Sequence, residues 1–385
     1  MTSSPTDIVV SVESFRVAPR WLFVRVETAQ GIVGWGEATL EGHTEAVEGA
    51  LKDLIERLVG RDPGRIEDFS MEAERARFYR SGPVLRSALS GIDIALWDIL
   101  GKRLGVPIYR LLGGAVRERV SVYSWVGGDH AKDVLEAAKV RKQQGFKAIK
   151  MNATDMIDWV DSPSVLDSCI ENVKAIKTLG IDVGVDFHGR VHTAMAKQLV
   201  RLLEPHRPLF VEEPLLPSQP REIARLQSLT SCPIALGERL YSRTDFRPYL
   251  EASCIDIAQP DVAHCGGISE LRKIATLCEA YDVAVAPHCP LGPIALAACL
   301  QVDAVIPNFA IQEMSWQMHY NKGADLMTYI KNPEVFAVVD GHIVIPTSPG
   351  LGLEINEELI RQAATEAPVW RNPVWRGADG SIREW

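Results

Sequence analysis

The chain is expected to be an α/β protein: a (β/α) barrel of the modified TIM type, with an N-terminal α+β capping domain that the C-terminal tail completes. Three observations predict this. First, Asp186 in VGVDFHGR, Glu212 in LFVEEP and Glu238 in IALGER stand 26 residues apart, and Asp261, His288 and Glu313 continue the series at 23, 27 and 25 residues. Each follows a short apolar or β-rich run and precedes enough chain for one helix, the repeat of a strand–helix barrel. Second, a length of 385 residues suits a barrel of about 250 residues plus a further domain. Third, the stretch before Val120 lacks the repeat and reads as strands followed by helices.

Taken in order, Ile8 to Val17 and Trp21 to Thr28 read as strands, and Ala29-Gln30-Gly31 turns the second back into Ile32 to Ala38. Thr44 is placed to cap a helix whose apolar Val47, Leu51, Leu54 and Leu58 keep helical spacing, with Gly60 placed to end it. Further helices are expected from Ile66 and over Val84 to Leu104. Candidate barrel strands are Val120–Val126, Ala148–Met151, Asp182–Asp186, Leu209–Val211, Ile234–Leu236, Cys254–Ala258, Val283–Ala286 and Phe309–Ile311. After Glu313 the pattern weakens into short strands and turns. This divides the chain into a capping domain (1–118), a barrel (119–335) and a tail (336–385) that packs back on the cap.

Composition narrows the function. The 41 Lys and Arg against 50 Asp and Glu give a net charge of −9 without a basic block, which argues against nucleic acid and anionic membrane as partners. An anionic substrate would therefore need a metal to reverse the local charge. The seven Cys, without CxxC spacing, read as reduced thiols rather than a disulfide frame or zinc site. MTSSPTD has no secretory pattern and no apolar run approaches the ~18 residues of a membrane span, so a cytoplasmic protein is expected.

Any one Asp or Glu after a strand is more often a turn residue or cap than a catalyst. Six ionisable groups at six consecutive strand ends are different. Carboxylates at the ends of three successive parallel strands point into one mouth and need a positive charge, for which a hard divalent cation is the simplest candidate. Alternation puts His188 on the face of Asp186, and Lys150 and Asn152 together at the second strand end, while Glu213 goes to the opposite face. Asp261 is placed to orient His288, fixing the tautomer a general base requires.

GIVGWGEATLEG, SALSGIDIALWDILGK, DFHGRVH, RPLFVEEP, QPDVAHCGGI, APHCPLGPIALAACL and WRNPVWR carry a resemblance over essentially the whole length. The chain resembles the enolase superfamily in its mandelate racemase-like branch, and within it the sugar-acid dehydratases. The resemblance implies one Mg²⁺ on Asp186, Glu212 and Glu238, a His288/Asp261 base dyad, His188 as the acid and Glu313 as stabiliser of the intermediate. It implies a small-molecule sugar-acid substrate and a homo-oligomer. Lys150, Asn152 and Trp21 are expected to bind substrate, with specificity set by loops around Ala18 to Trp21 and Leu40 to His43. Racemases and lactonising relatives carry a second basic residue where this chain has Asn152, which disfavours a two-base racemase. A dehydratase for another aldonic or aldaric acid, and an epimerase or cycloisomerase, remain open. A two-metal barrel hydrolase would need more His at strand ends.

Overall fold

The computed structural model describes residues 7–76, 78–127, 134–367 and 369–385. The cap begins with β1 (Val9–Val17), β2 (Trp21–Thr28) and β3 (Val33–Glu37), an antiparallel sheet in that order. Its apolar face needs a cover. It receives α1 (Thr44–Leu58), α2 (Ile66–Arg75) and the 22-residue α3 (Pro83–Leu104), burying Leu22, Val24 and Val26 against Leu51, Leu54, Ile92 and Leu96. Helix α3 comes so close to β3 that a Cβ on Gly36 would lie 1.8 Å from the Gly91 carbonyl oxygen, so this crossing depends on glycine. Thr44 is not the cap residue of α1: His43 occupies that position, and no side chain caps the helix.

Helix α3 also joins the cap to the barrel, after which the short α4 (Ile108–Leu111) leads out of the cap. Asp93 accepts from the backbone N–H of Ser269, and Trp97 Nε1 donates to Ser269 Oγ at 2.9 Å. The barrel strands are β4 (Arg119–Val126), β5 (Ala148–Asn152), β6 (Asp182–Asp186), β7 (Val211–Glu212), β8 (Ile234–Leu236), β9 (Ile257–Ala258), β10 (Ala284–Val285) and β11 (Gln312–Met314). They pair in parallel in the order β10-β9-β8-β7-β6-β5-β4-β11. Helices α5 (Val134–Gln143), α6 (Asp167–Lys177), α7 (Thr193–Leu203), α8 (Pro220–Gln227), α9 (Arg243–Glu251), α10 (Gly267–Glu279) and α11 (Pro293–Asp303) follow the successive strands.

The eighth strand is displaced from the expected Phe309–Ile311. Phe309 bridges to Val285 of β10, whose N–H donates to Asn308 O at 2.8 Å, whereas regular pairing with β4 begins only at Gln312. One segment thus serves two neighbours at two heights, as the stagger of a closing barrel requires.

The tail divides its packing. β12 (His342–Val344) pairs antiparallel with Arg119–Ser121 at the entry end of β4, so the first part of 336–385 belongs to the barrel's lower rim and not to the cap. Beyond it, Leu351 N donates to Asp98 Oδ1 of α3 at 2.9 Å. An unanticipated helix, α12 (Glu357–Ala364), lies on β1, with Arg361 2.7 Å from Glu13 and Arg25 3.1 Å from Glu357. The hairpin β13 (Trp375–Arg376) and β14 (Ile382–Arg383) then carries the chain's end to the barrel mouth. Among the described residues no helix is long and apolar enough to cross a membrane.

Candidate active site

The strand ends converge on a cavity of about 500 Å³ between barrel and cap. Asp186 and Glu212 end β6 and β7 side by side in register, Glu238 lies two residues past β8, and Glu313 stands inside β11. Among them sits Lys150, whose Nζ is 2.7 Å from Glu212 Oε1, 3.0 Å from Glu313 Oε1 and 3.7 Å from Asp186 Oδ2. Burial pulls the Lys150 pKa down, but Glu212 and Glu313 outweigh it and hold the ammonium well above its ordinary range. Glu212 also accepts from Gln259 Nε2 at 2.7 Å. Burial, joined by the charges of Asp186, Glu313 and Glu238 against that of Lys150, pushes its carboxyl up to about 8.

His288 connects two carboxylates. Its Nδ1 is 2.8 Å from Asp261 Oδ2, and its Nε2 is 2.9 Å from Glu238 Oε2. Asp261, fully buried, is fixed in turn by the Ala263 N–H at 2.7 Å. Burial lowers the His288 pKa, yet Glu238 and Glu313 raise it more, and the net position is well above the ordinary imidazole range.

His188 lies across Glu238, with Nε2 4.0 Å from Glu238 Oε1. It has a left-handed φ of 54° and Gly189 one of 64°, and the turn is tied by the His188 N–H donating to Asp186 Oδ1 at 2.7 Å. A Cβ on residue 189 would come within 2.8 Å of Leu216 Cδ2, which together with its left-handed φ accounts for the glycine there. Arg190 Nη2 is 2.9 Å from His188 Nδ1. Because a guanidinium can only donate, Nδ1 accepts and the hydrogen sits on Nε2. Burial, against the charges of Asp186 and Glu238, brings the His188 pKa down to about 4.

The donor chemistry of Asp186, Glu212 and Glu238 fits a hard divalent cation: three carboxylates on adjoining strand ends, with Glu212 burdened by buried like charge. Their oxygens are nonetheless not drawn to a common point. Lys150 holds Glu212 near Asp186, and His288 holds Glu238. Among the described residues, the group whose ligand atoms all lie within 4.8 Å of one another is Asp261, His264 and His288.

One expectation changes and another gains a partner. Trp21 is wholly buried, 6.0 Å from the rings of both Phe23 and Tyr329, and does not line the cavity. Strand alternation turns it into the core, and its neighbour Arg20 in the preceding turn lines the mouth. Glu213 does leave the mouth face, but it is fully buried with Oε2 3.2 Å from Arg239 Nε, a guanidinium that donates to the His188 carbonyl at 3.0 Å. Lys150 and Asn152 both line the cavity. Arg20 and Glu41, from the loops at Ala18–Trp21 and Leu40–His43, also line it, as do His264, Tyr320 and Trp385, which sequence reasoning did not single out. Trp385, the last residue, meets His188 edge-on at 5.9 Å, a placement that only the fold of the tail decides.

Residues 132–359 match the family model described as Enolase C-terminal domain-like. Residues 2–113 match that of the Mandelate racemase / muconate lactonizing enzyme, N-terminal domain. The chain is 50% identical over 380 residues to the D-galactonate dehydratase of Ralstonia pickettii, covering 98% of this chain and 100% of that one. It is 51% identical, with the same coverage, to that of Xanthomonas campestris pv. campestris. Among solved structures it is similar to an enolase from Agrobacterium radiobacter, a proposed galactarate dehydratase with sodium and L-malate bound. The TM-score is 0.88 at 31% identity, over 98% of this chain and 99% of that one. A proposed dehydratase from Mesorhizobium loti gives a TM-score of 0.85 at 30% identity, over 92% and 98%.

Proposed function

Since the chain belongs to the enolase superfamily, in its mandelate racemase / muconate lactonizing enzyme group, we propose that it is a sugar-acid dehydratase, a hydro-lyase that converts D-galactonate to 2-dehydro-3-deoxy-D-galactonate and water. The names of its relatives support the substrate. The observation that carries the reaction type is the pair of imidazoles about Glu238, His288 Nε2 at 2.9 Å and His188 Nε2 at 4.0 Å from its two oxygens. Elimination across C2 and C3 needs one group to take a proton and another to give one.

Asp186, Glu212 and Glu238 would hold a Mg²⁺, which when bound supplies a Lewis acid for the substrate carboxylate and lowers the cost of removing the weakly acidic C2 proton. His288 takes that proton on Nε2. Its high pKa is owed to Glu238 and Glu313, so cancelling the charge of Glu238 releases the nitrogen, while Asp261 keeps the ring oriented. His188 presents its Nε2–H to the departing 3-hydroxyl, and the Arg190 guanidinium, donating to Nδ1, holds the ring in that tautomer. Lys150 and Glu313 face the carboxylate end of the substrate. The enol formed by loss of water becomes the 2-keto-3-deoxy acid. Asn152 at the opposite strand end offers no second base, which favours elimination over racemisation.

Incubation with a panel of aldonic and aldaric acids and Mg²⁺, read by proton NMR, tests the reading. The expected result is a 2-keto-3-deoxy product from D-galactonate. Epimerised acid with no keto product would replace the dehydratase with an epimerase.

A further inference from the structure

Among the cap residues that line the cavity are Arg20, from the turn between β1 and β2, and Glu41, which with His43 comes from the segment after β3. The Arg20 side chain is only 4% exposed, with the Tyr320 ring 4.5 Å and the Trp370 ring 5.1 Å from its central carbon. Among the described residues its acceptors are distant ones, Pro290 O at 3.5 Å and Glu41 Oε1 at 3.6 Å, both to Nη2, and Nε has no hydrogen-bond partner. A buried guanidinium with unused N–H groups is costly unless a ligand takes them. The Tyr320 and Trp370 rings, 5.7 Å apart and nearly perpendicular to each other, lie toward one side of the guanidinium and leave its other side for such a ligand. Glu41, whose other oxygen is 3.5 Å from His264 Nε2, adds an acceptor and cancels the charge of Arg20.

We propose that Arg20 and Glu41 together select the end of the substrate that meets the cap, accepting the terminal hydroxyls of an aldonic acid and refusing the second carboxylate of an aldaric acid. A hydroxyl can accept from Arg20 and donate to Glu41 at once. A carboxylate could use only Arg20 and would face Glu41 as a like charge. This deepens the dehydratase reading and rests on it for the substrate class, while its test has an independent readout.

The test compares D-galactonate with its 6-deoxy analogue and with the aldaric acid of equal length, in wild type, Arg20→Met, Arg20→Lys and Glu41→Gln. Loss of the terminal hydroxyl should lower kcat/KM by ~30-fold in wild type, as for a hydrogen bond to a charged group, and by less than ~3-fold in Arg20→Met once that bond is gone. Arg20→Lys should recover part of the discrimination. Glu41→Gln should shift the aldaric-to-aldonic ratio of kcat/KM upward by ~10-fold through loss of the like charge. Equal discrimination against the deoxy acid in wild type and both Arg20 variants would overturn the assignment, as would a wild type that prefers the aldaric acid, an outcome that leaves dehydration standing. If no acid turns over, the same ratios are read as Kd by calorimetry, so failure of the dehydratase reading is seen separately.

Discussion

Asp261→Asn isolates what the dyad contributes. Asp261 accepts from His288 Nδ1 at 2.8 Å and does not line the cavity, so the change alters the state of the imidazole and leaves the substrate's own contacts in place. A hydrogen bond between charged groups is worth about 1.5–3 kcal/mol, or roughly 10- to 150-fold in rate at about 1.4 kcal/mol per tenfold. The amide adds a second loss. Its NH₂ can donate to Nδ1, which places the ring hydrogen on Nε2, the nitrogen that must receive the C2 proton. The corresponding Asp→Asn change in a serine-protease triad costs about 10⁴-fold in kcat for this reason. The expectation here is a fall of ~10³–10⁴-fold in kcat with KM nearly unchanged. Loss of C2 proton exchange in deuterated solvent, followed by NMR, should accompany it. A kcat within tenfold of wild type, or exchange surviving while dehydration fails, would refute the orienting role.

Glu212→Gln and Glu238→Gln should each abolish turnover and Mg²⁺ binding by calorimetry, and binding near wild type in either would remove that residue from the ligand set. His288→Asn should lose both dehydration and C2 exchange, whereas His188→Asn should stop dehydration yet still exchange the C2 proton of a 3-deoxy acid; the reverse pattern would exchange their roles. Burial raises the Asp93 carboxyl from 3.8 to about 7, against the hydrogen bonds from Ser269. The folded chain then holds this proton more tightly than the unfolded one, so stability falls as pH rises from about 4 to 7 and the full cost, at most about 4 kcal/mol, applies above 7. Asp93→Asn should therefore gain in urea midpoint relative to wild type at pH 8 but not at pH 4, and an equal effect at both pH values would contradict this.

Much of the fold was legible because its signals are local and periodic. Spacing near 26 residues and the β-rich runs before Asp186, Glu212 and Glu238 follow from one strand and one helix per unit, and alternation placed Lys150 with Asn152. The pairing of His288 with Asp261 was also legible, because residues at the ends of neighbouring parallel strands must be neighbours. What only the tertiary structure decided depends on contacts between distant segments. Whether Trp21 or Arg20 faces the mouth turns on one residue of strand phase. Glu213 leaves the mouth face as alternation requires, but only the meeting of two loops places Arg239 beside it. The shift of the eighth strand comes from the stagger that closes a barrel, a property of all eight strands together. The edge of Trp385 on His188 joins the last residue to one nearly two hundred positions earlier, and such a contact leaves no periodic trace, because it is set by how the tail crosses the cap rather than by any repeat along the chain.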